Sequence, residues 1–302
     1  MLTNIPTPSP RSSICGQSTS TARAALGRMS TQIYRTRTRA ASSSLRVTSC
    51  SWLMREKPRR RHILVTGSYH SIVVSGDADA CVYCLFHGRE IDEPPTITRL
   101  LLPAPTRIRA VAASKESYLL LAETGQVYEG LFDDAEPRPI EALAQARCRS
   151  VACGEEHYLV ATFDGIAYSW GRGADGRLGH DSERDVARPR VIQNVSRVVA
   201  VAGGDDHSCV LCADAGGVEG SEVYLFGGNA RGQLGTGDRY ECLTPTRVDV
   251  GTVVVSAALG RQFTLLINAR GALLSCGCGA RNGQDSNADS LIVRRVEALA
   301  EV

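Results

Sequence analysis

Apolar residues come in short bursts along this chain, each closed by glycine, aspartate or proline. Tyr158–Ala161 and Ile166–Trp170 are typical, with Asp164-Gly165 between them. Runs this short, rich in β-branched and aromatic residues and bounded by turn residues, predict strands rather than helices. Asp-Gly marks a hairpin, because Gly takes the positive φ that such turns need. The stretch Ser150–Gly179, SVACGEEHYLVATFDGIAYSWGRGADGRLG, therefore reads as a short strand ending at Gly154, a strand opening at His157, a hairpin and a return strand to Trp170. A loop punctuated by Gly171, Gly173, Gly176 and Gly179 follows.

The pattern recurs. From Val201, Gly204 takes the place of Gly154, His207 of His157, Phe226 of Trp170 and Gly235 of Gly179. From Ser256, Gly260 takes the glycine place, Phe263 the histidine place and Cys276 the aromatic place. Two weaker copies lie upstream, one with Gly67 and His70, the other with Ser114 and Ser117 at the same two positions. Five units of short strands at a period near ~50 residues predict a propeller or an array, since one unit cannot bury its own faces.

Cys153–His157, Ser169-Trp170-Gly171 and Arg177-Leu178-Gly179, with Gly203–His207, Phe226-Gly227 and Gly232–Gly235, resemble the repeats of the regulator of chromosome condensation family. The resemblance covers residues 63–302 and is strongest over 150–284. It implies an all-β fold, a β-propeller that in this family usually has seven blades; five are recognisable here. Signatures of WD repeats are absent, and a kelch reading leaves His157 and His207 without a role. The resemblance also implies that His70, His157 and His207 are structural, each hydrogen-bonding within its own blade. Gly154, Trp170, Gly204 and Gly260 are structural positions with them. Leu291–Val302 reads as the run-up to a further small-residue strand.

Charge divides the chain in two. Residues 1–61 hold 12 Lys and Arg against one acid, Glu56, while residues 62–302 hold 22 basic and 31 acidic residues. The expected organisation is a disordered basic arm or targeting segment over 1–61 and a propeller domain over 62–302. The arm, rich in Ser, Thr, Arg and Pro, lacks the apolar residues for a core. Three readings compete for it: a solvated tail, a nuclear-import or nucleic-acid patch at Lys57–Arg61, and a mitochondrial presequence opposed by Pro6, Pro8 and Pro10. Met29 and Met54 are alternative starts. No apolar run approaches the ~18 residues of a membrane span. With 11 cysteines and no secretory leader, the expectation is a reduced compartment, nucleus or cytoplasm, with mitochondria as the alternative. The Pro-rich pieces at 94–95, 103–105, 137 and 139 are expected in connections between blades. Pro189 and Pro245 are expected after each glycine-rich loop and before the next strand.

Candidate chemistry is sparse. Glu155-Glu156 and Asp205-Asp206 precede the repeat histidines, so they are expected in loops on one face, as solvated acids or as a rim for a basic protein partner. In the family's exchange factor an Asp before this His lies on the face that docks the small GTPase Ran; Asp206, and Glu156 in another unit, resemble it. The nearest counterpart of that factor's wedge is the short insertion Ala215–Ser221. Gly171–Gly176 matches G-x-G-x-x-G, but no long helix is predicted to follow, so a dinucleotide is not expected. Cys81/Cys84 and Cys209/Cys212 have metal-like spacing on strands, where i and i+3 point to opposite faces. Cys276 and Cys278 would share a face only in a continuous strand. No metal, cofactor, small-molecule substrate or covalent catalysis is expected. The leading function is a protein-interaction and regulatory platform. The alternatives are guanine-nucleotide exchange on a Ran-type GTPase, and chromatin or RNA tethering through the arm.

Overall fold

The computed structural model describes residues 62–75, 81–87, 94–103, 105–284 and 287–297, and all of them lie in one compact unit. The arm 1–61, with its Lys57–Arg61 patch and the starts at Met29 and Met54, lies outside the described residues.

Twenty strands form five antiparallel four-stranded sheets, each a simple meander of consecutive strands. Blade 1 is β1 (Ile63–Thr66), β2 (His70–Val74), β3 (Val82–Phe86) and β4 (Thr96–Arg99). Blade 2 is β5 (Ile108–Ala113), β6 (Ser117–Ala122), β7 (Val127–Leu131) and β8 (Arg138–Pro139). Blade 3 is β9 (Cys148–Cys153), β10 (His157–Thr162), β11 (Ala167–Gly171) and β12 (Val186–Val191). Blade 4 is β13 (Val198–Gly203), β14 (His207–Cys212), β15 (Glu222–Gly227) and β16 (Cys242–Val248). Blade 5 is β17 (Val254–Leu259), β18 (Phe263–Asn268), β19 (Leu273–Gly277) and β20 (Ser290–Arg295). The five repeat units read from the sequence are these five blades. Among the described residues no helix is long and apolar enough to cross a membrane.

The second strand of each blade explains why no blade stands alone. Successive side chains on a strand point to opposite faces. In β10, Leu159 and Ala161 enter a core shared with Val201, Val210 and Phe226 of blade 4. Val160, between them, enters a core shared with Leu119 and Leu121 of blade 2. In β14, Val210 and Cys212 face blade 3, while Cys209 and Leu211 pack with Leu259 and Leu266 of blade 5. Both faces are buried, so these strands are apolar without alternation. First strands are small because neighbouring first strands approach one another: β5 contacts β9, β9 contacts β13, and β13 contacts β17.

The same alternation separates Cys209 from Cys212, which sit in different cores. Burial pushes the Cys84 and Cys148 thiols up to about 11 and raises Cys153, Cys209 and Cys276 as well. A thiol reagent at neutral pH should therefore leave Cys153, Cys209 and Cys276 unmodified until denaturant is added. Mass spectrometry of the alkylated native protein checks this.

Two expectations are corrected. Pro94-Pro95 precede β4, Pro137 precedes β8 and Pro139 lies in β8, so these prolines sit inside blades; Pro103 and Pro105 do lie between blades. Pro189 and Pro245 lie within β12 and β16 rather than ahead of the next strand. The fourth strand is the outer edge of its blade, where proline removes no ladder hydrogen bond. Leu291–Arg295, the start of the stretch read as a run-up to a further strand, lie in β20, the fourth strand of blade 5, and residues 298–302 lie outside the described residues.

Candidate functional site

The turns between first and second strands carry both the repeat glycines and the acids. At Gly154 an added Cβ would stand 2.0 Å from the His157 ring and 2.5 Å from the Gly204 carbonyl. At Gly204 it would stand 2.6 Å from the His207 ring and from the Gly260 carbonyl, and at Gly260 2.2 Å from the Phe263 ring. Gly67 lies likewise between His70 and the Ser114 carbonyl. Each glycine lets its own ring lie beneath the backbone, and at Gly67, Gly154 and Gly204 the next blade's carbonyl presses against it as well. The surroundings of these three are equivalent, and Gly260 shares the ring contact.

The histidines were expected to bond within their own blades. His157 and His207 instead reach the next blade through Nε2, and the His207 ring meets its own blade only at Asp206. The buried ring of His70 has no side-chain hydrogen-bond partner among the described residues. His157 Nε2 lies 2.8 Å from Ser208 Oγ in blade 4, and His207 Nε2 lies 2.9 Å from Thr264 Oγ1 in blade 5. Each hydroxyl donates to a carbonyl of the preceding blade's glycine-rich loop: Ser208 to Arg177 and Thr264 to Gln233, both at 2.7 Å. A hydroxyl has one proton, so each histidine must donate from Nε2. This fixes the tautomer of His157, whose Nδ1 has no hydrogen-bond partner among the described residues, while Nδ1 of His207 faces Asp206. The two rings thus bridge blades. Between blades 2 and 3 the sizes are exchanged: Ser117 occupies the histidine place, and its Oγ lies 2.6 Å from Tyr158 Oη. Tyr158→Phe should cost about 1 kcal/mol of stability, the net value of one such bond; urea unfolding measures it.

The glycine-rich loops of blades 3 and 4 each lock onto the next blade. Arg177 is buried and donates to the Asp205 carbonyl at 3.0 Å, to Ala174 O at 2.8 Å and to the Asp175 carboxylate at 2.8 Å. Gly179 packs on Phe226, where a Cβ would be 2.9 Å from the ring, and Gly235 on Cys276 and Val293 in the same way. Trp170, the equivalent of Phe226, is buried and stacks on Tyr158 at 5.3 Å. The G-x-G-x-x-G match is thus a joint between blades: Ala174–Gly176 is only a 3-10 turn, with Asp175 at a φ of 58°.

All four acids lie on these turns, at the same end of adjacent blades, and they differ in what holds them. Glu156 pairs with Arg172 and lies 3.8 Å from Lys115; the Arg172 hydrogen bond holds its carboxyl below the usual range. Asp206 lies 3.3 Å from His207 Nδ1 and accepts from Gln233 Nε2 at 3.4 Å. Burial raises the Asp206 carboxyl, but the His207 and Gln233 bonds, with Arg177 nearby, outweigh it and leave it lowered. Asp205 shifts the other way: burial, then the charges of Glu155 and Asp206, push its carboxyl up, and Arg261 at 4.0 Å offsets only part. Glu155 is half-buried beside them. The result is an acidic patch edged by Lys115, Arg172 and Arg261, on turns that the histidine bridges hold in place.

The insertion Ala215–Ser221 is elsewhere. It joins β14 to β15, at the far end of β14 from Asp206. Six residues of strand separate the two by roughly 16–20 Å. Arg177 and Gln233 have a place in the repeat read from the sequence but no role there, and Ser208 and Thr264 have neither. Only the repetition of a hydroxyl residue right after the histidine place, at Ser71, Ser208 and Thr264, signalled the two hydroxyls.

Profiles of the regulator of chromosome condensation (RCC1) repeat match residues 148–177, 164–211 and 221–267. The Ultraviolet-B receptor UVR8 of Arabidopsis thaliana is 29% identical over 269 residues, 80% of this chain and 59% of the relative. Human Protein RCC2 is 31% identical over 169 residues, 54% of this chain and 31% of the relative. The chain therefore spans 59% and 31% of those relatives' lengths. Among solved structures, human WBSCR16 superposes with a TM-score of 0.65 at 20% identity, covering 78% of this chain and 67% of that one. Yeast RCC1 (Prp20) bound to Kap60 gives 0.64 at 18%, covering 79% and 61%. These likenesses are to β-propellers of the same repeat.

Proposed function

We propose, for a chain that belongs to the regulator of chromosome condensation repeat family, that it is a non-catalytic platform whose acidic turns dock a basic protein surface. The observation that carries this reading is the placement of Glu155, Glu156, Asp205 and Asp206 on equivalent turns of adjacent blades. Asp205 is the most informative of them. Its carboxyl is raised first by burial and then by Glu155 and Asp206, and those two neighbouring charges mark a site that gains when a cation arrives. Lys115 and Arg172 already take Glu156, so Glu155 and Asp205 are the acids with the most to gain from a partner.

The test is affinity capture with the tagged chain and with its E155Q/D205N variant, at two salt concentrations. A protein held by the unaltered chain and released both by the variant and by salt supports the rim. A set of bound proteins unchanged by the variant overturns it.

Exchange on a small GTPase is the second reading, favoured by the place of Asp206 before the repeat histidine. It has support in kind from yeast Prp20p, described for its binding to Gsp1p and histones, which superposes with a TM-score of 0.61 at 18% identity. Exchange requires a group that enters the nucleotide site, and the Ala215–Ser221 insertion lies at the wrong end of blade 4 to act beside Asp206. Release of labelled GDP from a Ran-type GTPase separates the readings: stimulation abolished by Asp206→Asn would establish exchange, and binding without stimulation leaves the platform. Tethering of chromatin or RNA by the arm would show as steeply salt-dependent binding lost on deleting residues 1–61.

A further inference from the structure

The opposite end of the blades carries a different chemistry. There each hairpin between second and third strands packs on the start of its blade's first strand, with one backbone bond repeated in four blades. Glu123 N donates to Arg107 O, Phe163 N to Arg147 O, Ala213 N to Arg197 O and Ala269 N to Val253 O, at 2.8 to 2.9 Å. Arginine fills the accepting place in three of the four blades. Two residues on, the places are Arg109, Arg149, Val199 and Val255.

At blade 3 this register converges on one exposed ring. Phe163 is 51% exposed. The Arg109 and Arg147 guanidinium carbons each lie 5.5 Å from its centroid, and that of Arg149 lies 5.7 Å away. One phenyl ring with three cations around it is a costly arrangement in isolation, because like charges repel; the proximity of Arg149, after burial, lowers the Arg109 pKa. Acids stand at the margin. Glu123 acts on Arg109, Asp164 follows Phe163 in the hairpin, and Glu219 reaches in from the Ala215–Ser221 insertion to pair with Arg149 at 3.2 Å. Arg109 also donates to the Cys148 carbonyl at 2.9 Å, which fixes one edge of its fork. Among the described residues the Arg147 head makes no ion pair and is held only over the Phe163 ring.

We propose that Phe163 with Arg109, Arg147 and Arg149 is a docking site for an acidic peptide segment of another protein. Two observations select that occupant. Glu219 shows the patch already taking a carboxylate, on an exposed arm that can be displaced. The Phe163 ring is an apolar surface whose cations give forks matched to carboxylates, so a segment alternating acidic and aliphatic residues satisfies both. A nucleic acid fits less well: stacking needs an open aromatic face, and guanidiniums crowd this one. The site lies at the far end of the blades from the acidic turns and does not depend on them.

The test uses the full chain and a short fluorescent peptide of alternating Glu and Leu, followed by anisotropy, with single-stranded DNA of equal length as the second probe. Both probes are anions and residues 1–61 are basic, so the readout is the change between variants. R109A/R147A should weaken the peptide about tenfold, the product of two exposed charge pairs, and F163A should weaken it as well. Glu219→Gln, which removes the internal competitor, should tighten it about twofold. All three side chains of the loss variants are exposed, so folding should survive, and the Glu219→Gln gain does not depend on a damaged protein. Peptide affinity unchanged in R109A/R147A overturns the proposal, as does a failure of Glu219→Gln to tighten binding. A larger loss for DNA than for peptide would reassign the site to nucleic acid.

Discussion

Gly154→Ala should lower the unfolding free energy by about 3–4 kcal/mol, beyond the usual cost of overpacking. The added carbon meets the His157 ring at 2.0 Å and the Gly204 carbonyl at 2.5 Å. The ring is clamped by Ser208 and the carbonyl belongs to the next blade's backbone, so neither yields cheaply. Relief requires the joint between blades 3 and 4 to open, breaking the His157–Ser208 bond and disturbing the core of Leu159, Ala161, Val201 and Phe226. Gly216→Ala is the control: only the Asp214 side chain lies near it, and its cost should be within about 0.5 kcal/mol. Urea denaturation of both variants checks the contrast. Equal losses would mean that the glycine acts through chain entropy alone.

Acid is the second large perturbation. Burial lowers the pKa of His70 to about 4 and that of His157 to about 3, from 6.5. Arg177 and His207 add to the shift at His157. Unfolded chains bind these protons near pH 6.5 while the folded chain refuses them, so the unfolded state holds more protons as pH falls. Stability is complete above about pH 6.5 and declines below it, at about 1.4 kcal/mol per pH unit for each ring, until the folded values are reached. From pH 6.5 to 5.5 the two rings together should remove about 2–3 kcal/mol, before most carboxylates begin to titrate. Stability measured by urea at pH 7.0, 6.5, 6.0 and 5.5 should follow this slope, and His157→Gln should roughly halve it. A flat profile would mean that both rings accept their protons in the folded state as readily as in the unfolded chain.

Much of this was legible in the residues. Gly154, Gly204 and Gly260 recur because the same close approach recurs, so repetition gave the blades and their number. The apolar second strands read as buried because both of their faces are. The partners of the histidines were not legible. Ser208 and Thr264 lie 51 and 57 residues from the rings they meet, and an ordinary Ser or Thr on a strand carries no mark of that contact. The fourth strands were misread because, lying at the edge, they tolerate Pro189 and Pro245 and are largely exposed. The acids were placed correctly on one set of turns, but sequence could not say that Glu156 and Asp206 are engaged while Asp205 is raised. Arg147 and Arg149 were passed over because they precede the recognisable part of the repeat. Only the hairpin that folds back brings Phe163 over them.

The central claim is that blades 3 and 4 are each fastened to the next blade by a histidine reaching across the joint, and a double-mutant cycle between His157 and Ser208 tests it most directly. His157→Ala, Ser208→Ala and the double variant should show a coupling of about 1–2 kcal/mol, while the same cycle between His157 and Thr264, which belong to different joints, should show less than about 0.5. Coupling near zero at His157–Ser208, or equal coupling in both cycles, would contradict the account.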